Sequence, residues 1–424
     1  MNEQEETIEQ NTATKNSLAF HATPFQKGVS PKIAILHDAF LYRGGGERLV
    51  TLMAKYLHAD LISGFFSMGS FDPRELGFTG RMISLGKPVF MRWLRHMILK
   101  WRFARHADIL SGYDTVIFSG NCLDALHHVR SDAQKIYYCH TPPRYLFDFR
   151  DTYLSRIPSL IRPLFQWVFD RHAAKYRTHL ARFDLIFTNS ENVHDRLLAF
   201  CGYESEILYP PTDTSRFAPM NSEQWTVNNE QWTVNNEQWT VKIPIQTIKP
   251  STYFLSFSRL SLPKRVGLIV DAFLEMPEQN LILTYGRNDP LKREILQQIE
   301  GKSNILALES PSDDELIVLI QWAIASISLP IDEDFGMSPV ESMACGTPVI
   351  GANEWGLRET IFDGRTGKLI DIMDHLSWIK VLKETVQGID RDAWKHMRHD
   401  CRLRADDFSL EKFEKKLQFH LDKR

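Results

Sequence analysis

IDEDFGMSPVESMACGTPVIG, residues 331–351, sets two spaced glutamates, a helix start and two glycine turns between apolar runs. Just before it, AIASISLP (323–330) alternates apolar and small residues as a buried strand does, and Pro330 stops that strand. Ser338 is expected to cap a helix reading PVESMAC. Pro339 would be its first position, where a missing amide hydrogen costs nothing. Gly346 then supplies the left-handed residue that ends the helix, and VIGA opens the next strand. A helix N-terminus beside Gly336 suits a phosphate or a polar sugar, because the backbone can approach closely there. Glu333 lies just before the helix and Glu341 within its first turns, so the pair can accept hydrogen bonds from diols. Either carboxylate alone also reads as a charge favouring the helix dipole.

EDFGMSPVE followed by SMACGTPVIG resembles the Glu-x7-Glu donor-site signature of retaining glycosyltransferases of family 4. The resemblance implies an α/β GT-B architecture: two Rossmann-like domains facing each other across a cleft, with the nucleotide sugar held mainly by the C-terminal one. It implies Glu341 on the ribose hydroxyls and Glu333 on the transferred sugar, with Gly336, Met337 and Ser338 lining the nucleotide-sugar site. No cofactor and no metal ligands are implied, and no Asp-x-Asp motif is evident.

The chain's 424 residues, 43% of them hydrophobic, allow two domains with a core each. The net charge of −3 is uneven, roughly +6 over residues 31–216 and roughly −7 over 217–424, so the first half is the one expected to meet an anionic surface. Nothing in this balance points to nucleic acid. Five scattered cysteines lack paired spacing for zinc or redox work and read as packing residues in a reducing cytoplasm. No run of about 18 apolar residues occurs, and residues 1–30, polar and without a signal-peptide core, read as a disordered tail.

From residue 31 to 216 the pattern is that of a first Rossmann-like, acceptor domain. KIAILHDAF reads as a strand, and LYRGGGERLVTLMAKYL as a glycine loop entering a helix. Gly44, Gly45 and Gly46 leave amides pointing into the cleft, and the family's Gly-Gly-x-Glu loop is matched in part by Gly45-Gly46-Glu47. MRWLRHMILKWRFARH (91–106) has five basic residues and no acid. Trp93, Leu94, Met97, Ile98, Trp101 and Ala104 recur at helical spacing, so this helix either lies on an anionic membrane or packs that face on its own sheet. KIYYCHTPPRYLFD places His140 at a strand's carboxyl end, where open α/β sheets bind ligands, and Arg144 and Tyr145 on a loop able to reach an acceptor. A His-Thr-Pro segment at this place is similar to family 4 enzymes of polysaccharide assembly. In FDLIFTNSENVHDRL, Ser190 is expected to cap a helix.

Residues 217–249 read as a linker whose 221–241 segment, NSEQWTVNNEQWTVNNEQWTV, is three copies of a seven-residue unit with no helical seam. It could form a small hairpin or stay disordered, and a mobile loop near the hinge is expected. Residues 250–393 are read as the nucleotide-sugar domain. In TYFLSFSRLSLPKRVGLIVDAF, Arg259 and Lys264 sit on a loop where two cations could neutralise a diphosphate leaving group. NEWGLRETIFDGRTGKLI is expected to bring Glu359 near the donor crevice and to contain a DGRTG hairpin turn, with Trp355 replacing a glycine usual in the family. Residues 394–424 read as helix that crosses back to the first domain.

The resulting expectation is a metal-independent retaining transferase moving a hexosyl group from a nucleotide diphosphate sugar to a saccharide or lipid-linked saccharide. Glu333, Arg259, Lys264 and His140 would carry the chemistry, and Glu341, Gly45 and Gly46 would help hold the donor. GDP-mannose is favoured over a UDP-sugar as donor by similarity to bacterial surface-polysaccharide mannosyltransferases. A cytoplasmic location, with peripheral contact at an anionic membrane, fits the basic first half. Rival classes are a nucleotide-sugar epimerase or phosphorylase on the same architecture and an inactive sugar-binding protein.

Overall fold

The computed structural model describes residues 31–423 apart from 42–43, 71, 90, 220–224, 229–230, 237–238, 245–248 and 373. The tail at 1–30 lies outside the described residues. Short β-branched and apolar runs form one sheet of seven parallel strands: β1 Ile33–His37, β2 Asp60–Ser63, β3 Met82–Ser84, β4 Thr115–Ser119, β5 Gln134–Cys139, β6 Leu185–Thr188 and β7 Glu206–Ile207. Their spatial order is β3-β2-β1-β4-β5-β6-β7. After the linker come β8 Trp225–Asn228, β9 Gln231–Asn236 and β10 Trp239–Pro244, and then β11 Tyr253–Ser256, β12 Asn280–Tyr285, β13 Ile305–Glu309, β14 Ser326–Ser328, β15 Val349–Ala352 and β16 Gly367–Ile370. The last six form a second parallel sheet in the order β13-β12-β11-β14-β15-β16.

Both parallel sheets reverse direction of growth beside their first strand, β1/β4 in one and β11/β14 in the other, and in open α/β sheets a crevice opens at that reversal beyond the strands' carboxyl ends. The site residues read from the sequence follow these ends: the glycine loop after β1, His140 after β5, Lys264 after β11, and Glu333 and Glu341 after β14.

Two expectations are corrected here and one open alternative is narrowed. The repeat is a three-stranded antiparallel sheet, β10-β9-β8, rather than a loop. Its alternating Trp-Thr-Val units fall into register so that Trp225 pairs with Val234 and Val227 with Trp232, cross-strand partners of high strand propensity. The DGRTG turn joins the helix Trp355–Thr360 to the parallel strand β16, so it is no hairpin. The helix Arg92–Arg105 buries Leu99 and Phe103, while Met97 and Trp101 of the expected apolar face are exposed.

Three hydrophobic clusters back the two parallel sheets, two around the first and one around the second, and the chain passes between the two sheets twice. The helix Arg391–Asp406 packs on the cluster of the second sheet through Trp394, Cys401 and Ala405. The helix Leu410–Asp422 returns to the first sheet, where Phe413 and Leu417 join the buried cluster that holds Ile35, Leu49 and Val50. Each such buried side chain is worth roughly 1.5–3 kcal/mol. Both passages meet where the Thr212 amide donates to the Phe408 carbonyl at 2.8 Å. All five cysteines are buried and free of disulfides.

Candidate active site

The helix after β14 starts two residues earlier than its sequence suggests. It runs Met337–Ala344 and is preceded by Gly336 at φ 92°, so Gly336 and not Ser338 is the cap residue. A left-handed cap favours glycine, and Pro339 still costs nothing because the first turn's amides have no helical acceptors. Ser338 instead joins Gly44, Gly45, Arg48, Met337 and Glu341 around an interdomain cavity of about 250 Å³. Gly45 comes so close to the second domain that a Cβ there would stand 2.4 Å from Met337 Sδ. A Cβ on Gly46 would face the His140 ring at 3.6 Å.

Lys264, in the 3-10 turn Leu262–Lys264, donates to Glu333 Oε2 at 2.6 Å, so the loop after β11 and the loop after β14 are tied at their tips. Both side chains are about one-quarter exposed. Arg259 is exposed on the same loop as Lys264. Glu341 carries a partner that sequence reasoning missed: Arg48, one turn into the glycine-loop helix Gly45–Tyr56, donates to its Oε1 at 3.2 Å across 293 residues of sequence. Burial pushes the Glu341 carboxyl above the usual carboxylate range, and Arg48 pulls it back.

On the first-domain wall, His140 Nε2 lies 2.7 Å from Ser119 Oγ, which lies 3.1 Å from His37 Nδ1. His37 Nε2 is in turn 3.4 Å from Asp38. The serine hydroxyl donates to one ring and accepts from the other, so carboxylate, imidazole, hydroxyl and imidazole form one line across the ends of β1, β4 and β5. Burial lowers the His140 pKa to about 4, so the ring is neutral near pH 7. The signal for His37 and Ser119 was their place as the last residues of apolar strands.

Charged bridges span the cleft. Arg144 reaches Asp332 at 3.0 Å, and Arg196 reaches Asp334 at 2.7 Å. Burial outweighs the nearby arginines and holds the Asp334 pKa up at about 6. Glu359 is not directed to the donor crevice as expected. Its two oxygens accept the Glu191 and Asn192 amides at 2.8 and 2.7 Å, at the N-terminus of the helix Glu191–Cys201 that Ser190 caps. A carboxylate there satisfies otherwise unpaired donors and the helix dipole. Trp355 has φ 42°, which explains a glycine as the usual occupant of such a position, and the Arg196 guanidinium lies 5.0 Å over its ring.

Residues 238–395 match the family described as Glycosyl transferases group 1. The chain is 25% identical over 300 residues to the alpha-1,3/1,6-mannosyltransferase ALG2 of Dictyostelium discoideum, covering 62% of this chain and 67% of that protein. It is 22% identical over 380 residues to human ALG2, 84% of this chain and 82% of the relative. With the alg-2 protein of Neurospora crassa the match, 27% identical over 175 residues, is 34% of this chain and spans only 37% of the relative. Among solved structures, Anabaena Alr3699/HepE in complex with UDP and glucose superposes with a TM-score of 0.66 at 18% identity, over 93% of this chain and all of that one. Sucrose-phosphate synthase from Thermosynechococcus elongatus superposes at 0.69 with 15% identity, over 92% and 98%. The two switch-point sheets and these likenesses agree on a GT-B fold, and the matched segment places the glycosyl transferases group 1 domain in the second half of the chain.

Proposed function

We propose that the chain moves a hexosyl group, mannosyl by analogy with its relatives, from a nucleotide diphosphate sugar to a saccharide or lipid-linked saccharide, with retention of configuration. The observation that carries this reading is the Lys264–Glu333 pair at 2.6 Å, which ties the loop after β11 to the loop that leads into the Glu341 helix. Glu341 takes the ribose diol from the helix. Glu333 takes hydroxyls of the transferred sugar, and Lys264, with two further hydrogens on its ammonium group, turns to the diphosphate together with Arg259. The bond from the anomeric carbon to the leaving phosphate oxygen breaks as the acceptor oxygen bonds to that carbon on the same face. The acceptor's proton passes to the departing diphosphate. An oxocarbenium-like sugar between those events needs negative charge beside it and positive charge on the leaving group, which Glu333 and the two cations supply. His140, neutral and fixed by Ser119, borders the acceptor side, and Gly46 of the donor-holding glycine loop faces its ring.

GDP-mannose is the favoured donor. Among the described residues no helix is long and apolar enough to cross a membrane. Peripheral contact at an anionic bilayer is supported by exposed Met97 and Trp101 on a helix that carries five basic residues and no acid.

A thermal-shift series with GDP, UDP, ADP and their sugars tests the donor, since a ligand at 100 times its dissociation constant stabilises by about 2.7 kcal/mol. Calorimetry then separates the carboxylates. Glu341→Ala should weaken the free nucleotide roughly ten- to a hundredfold, whereas Glu333→Ala should spare it and reduce turnover. Equal nucleotide affinity in wild type and both variants would overturn this division of roles.

A further inference from the structure

The repeat strands form a sheet of their own, β10-β9-β8, and among the described residues neither outer strand pairs with a further strand. The two edges differ in sequence. β10 contains Lys242 and Pro244, residue types that natural sheets use to discourage pairing at an edge, and it lies alongside the helix Asp313–Trp322. β8 reads Trp-Thr-Val-Asn, with no charge, proline or glycine, and its first three residues have high strand propensity. One edge is guarded and the other is open. The backbone donors and acceptors along an open edge are a template for one more strand.

The pairing inside the sheet shows which strand fits. β8 and β9 are two copies of one unit run antiparallel, and they meet with Trp225 opposite Val234, Thr226 opposite Thr233 and Val227 opposite Trp232. Trp-Thr-Val therefore pairs with a second Trp-Thr-Val in the register that sets the threonines face to face and each tryptophan across from a valine. That register is self-complementary, since exchanging the two strands leaves it unchanged. β9 and β10 do not share it: Trp232 stands opposite Ile243 and Val234 opposite Val241. The unit that pairs with its own copy is thus the one left at the open edge, and the next identical copy is found only in another chain. A two-fold axis brings two such edges together antiparallel, as the register requires.

We propose that β8 is a self-association edge, at which two copies of this chain join across a two-fold axis at Thr226 into one antiparallel sheet of six strands. Trp225 of one subunit stands opposite Val227 of the partner subunit, and Thr226 faces Thr226 of the partner subunit. Because β10 is guarded, the assembly closes at two chains instead of growing into a fibre. The contact is confined to short strands, well below the size of a standard interface, so the dimer is weak and dissociates on dilution. This concerns assembly and stands apart from the transferase reading.

Sedimentation velocity of the full chain over a dilution series tests it. The mass is expected to move from 49.2 kDa to twice that value as concentration rises, with no larger species. Thr226→Lys sets like charges directly opposite each other at the axis but meets only the Thr233 position within the chain. It should weaken association about fivefold or more, and Thr226→Glu should do the same. An equal mixture of the two variants should recover the dimer, because lysine then faces glutamate, a recovery that misfolded variants could not show. Circular dichroism of each variant should match wild type. A wild type that stays monomeric throughout, variants that associate as tightly as wild type, or a mixture that fails to recover each overturns the proposal. Growth beyond two chains would show β10 to be open as well and overturn the closed assembly.

Discussion

Replacing Arg48 with methionine removes the charge that meets Glu341 across the cleft but keeps much of the arginine stem's volume. At 3.2 Å the pair's gross attraction is roughly 5 kcal/mol at an effective dielectric near 20. Desolvation offsets much of that, leaving the net worth of one charged hydrogen bond, about 1.5–3 kcal/mol. The Glu341 side chain is 14% exposed and burial already raises its pKa, so losing Arg48 raises it further. A carboxyl that holds its proton more tightly accepts a diol less well, so Arg48→Met should weaken nucleoside diphosphate binding about tenfold or more. The deficit should be larger at about pH 6 than at about pH 8.5. Titration calorimetry at both pH values, with circular dichroism to verify folding, measures this. Nucleotide bound by Arg48→Met as tightly as by wild type, or with a deficit that grows with pH, would refute the idea that Arg48 holds Glu341 ready.

Lys264→Ala or Arg259→Ala should each lower turnover by roughly 10²–10³ while EDTA has little effect, and strict divalent-ion dependence with both variants active would contradict the assignment. Asp334, held at about 6 against an ordinary value near 3.8, binds its proton more tightly in the folded chain. Its stabilising contribution is full below 3.8 and lost as pH rises through 6. Thermal melts should therefore show wild type losing on the order of 1–3 kcal/mol relative to Asp334→Asn between about pH 4 and 7, and a flat difference would count against it. Deleting residues 221–241 should leave solubility and turnover nearly unchanged, because among the described residues their strands pair only with each other. Insoluble protein on that deletion would show a structural role.

The parts of this site legible in the sequence are those written in one local stretch. Glycines before a helix, His140 after an apolar strand and the carboxylates at 333 and 341 each announce themselves within a few residues, because strand ends and helix starts are local events. Arg48 escaped notice because its meaning depends on Glu341, and no periodicity links the two positions. Glu359 was misplaced for the same reason: its partners are backbone amides of another domain, which every residue but proline possesses. The start of the helix at Met337 turned on whether a serine side chain or a glycine backbone would cap it, two signals only two residues apart. In the repeat, the lack of a helical seam is plain from the spacing, whereas the strand propensity of Trp-Thr-Val outweighs the low-complexity composition.

The return of Leu410–Asp422 to the first core has a consequence for biosynthesis. A ribosome delivers residues 33–207 early, yet the apolar ground formed by Ile35, Leu49 and Val50 stays uncovered until Phe413 and Leu417 emerge more than two hundred residues later. During that interval the nascent first domain is a substrate for holding chaperones, and a chain released by premature termination anywhere in the second domain carries an open wound on the first. Quality control can thus recognise an incomplete second half by a surface on the opposite side of the cleft.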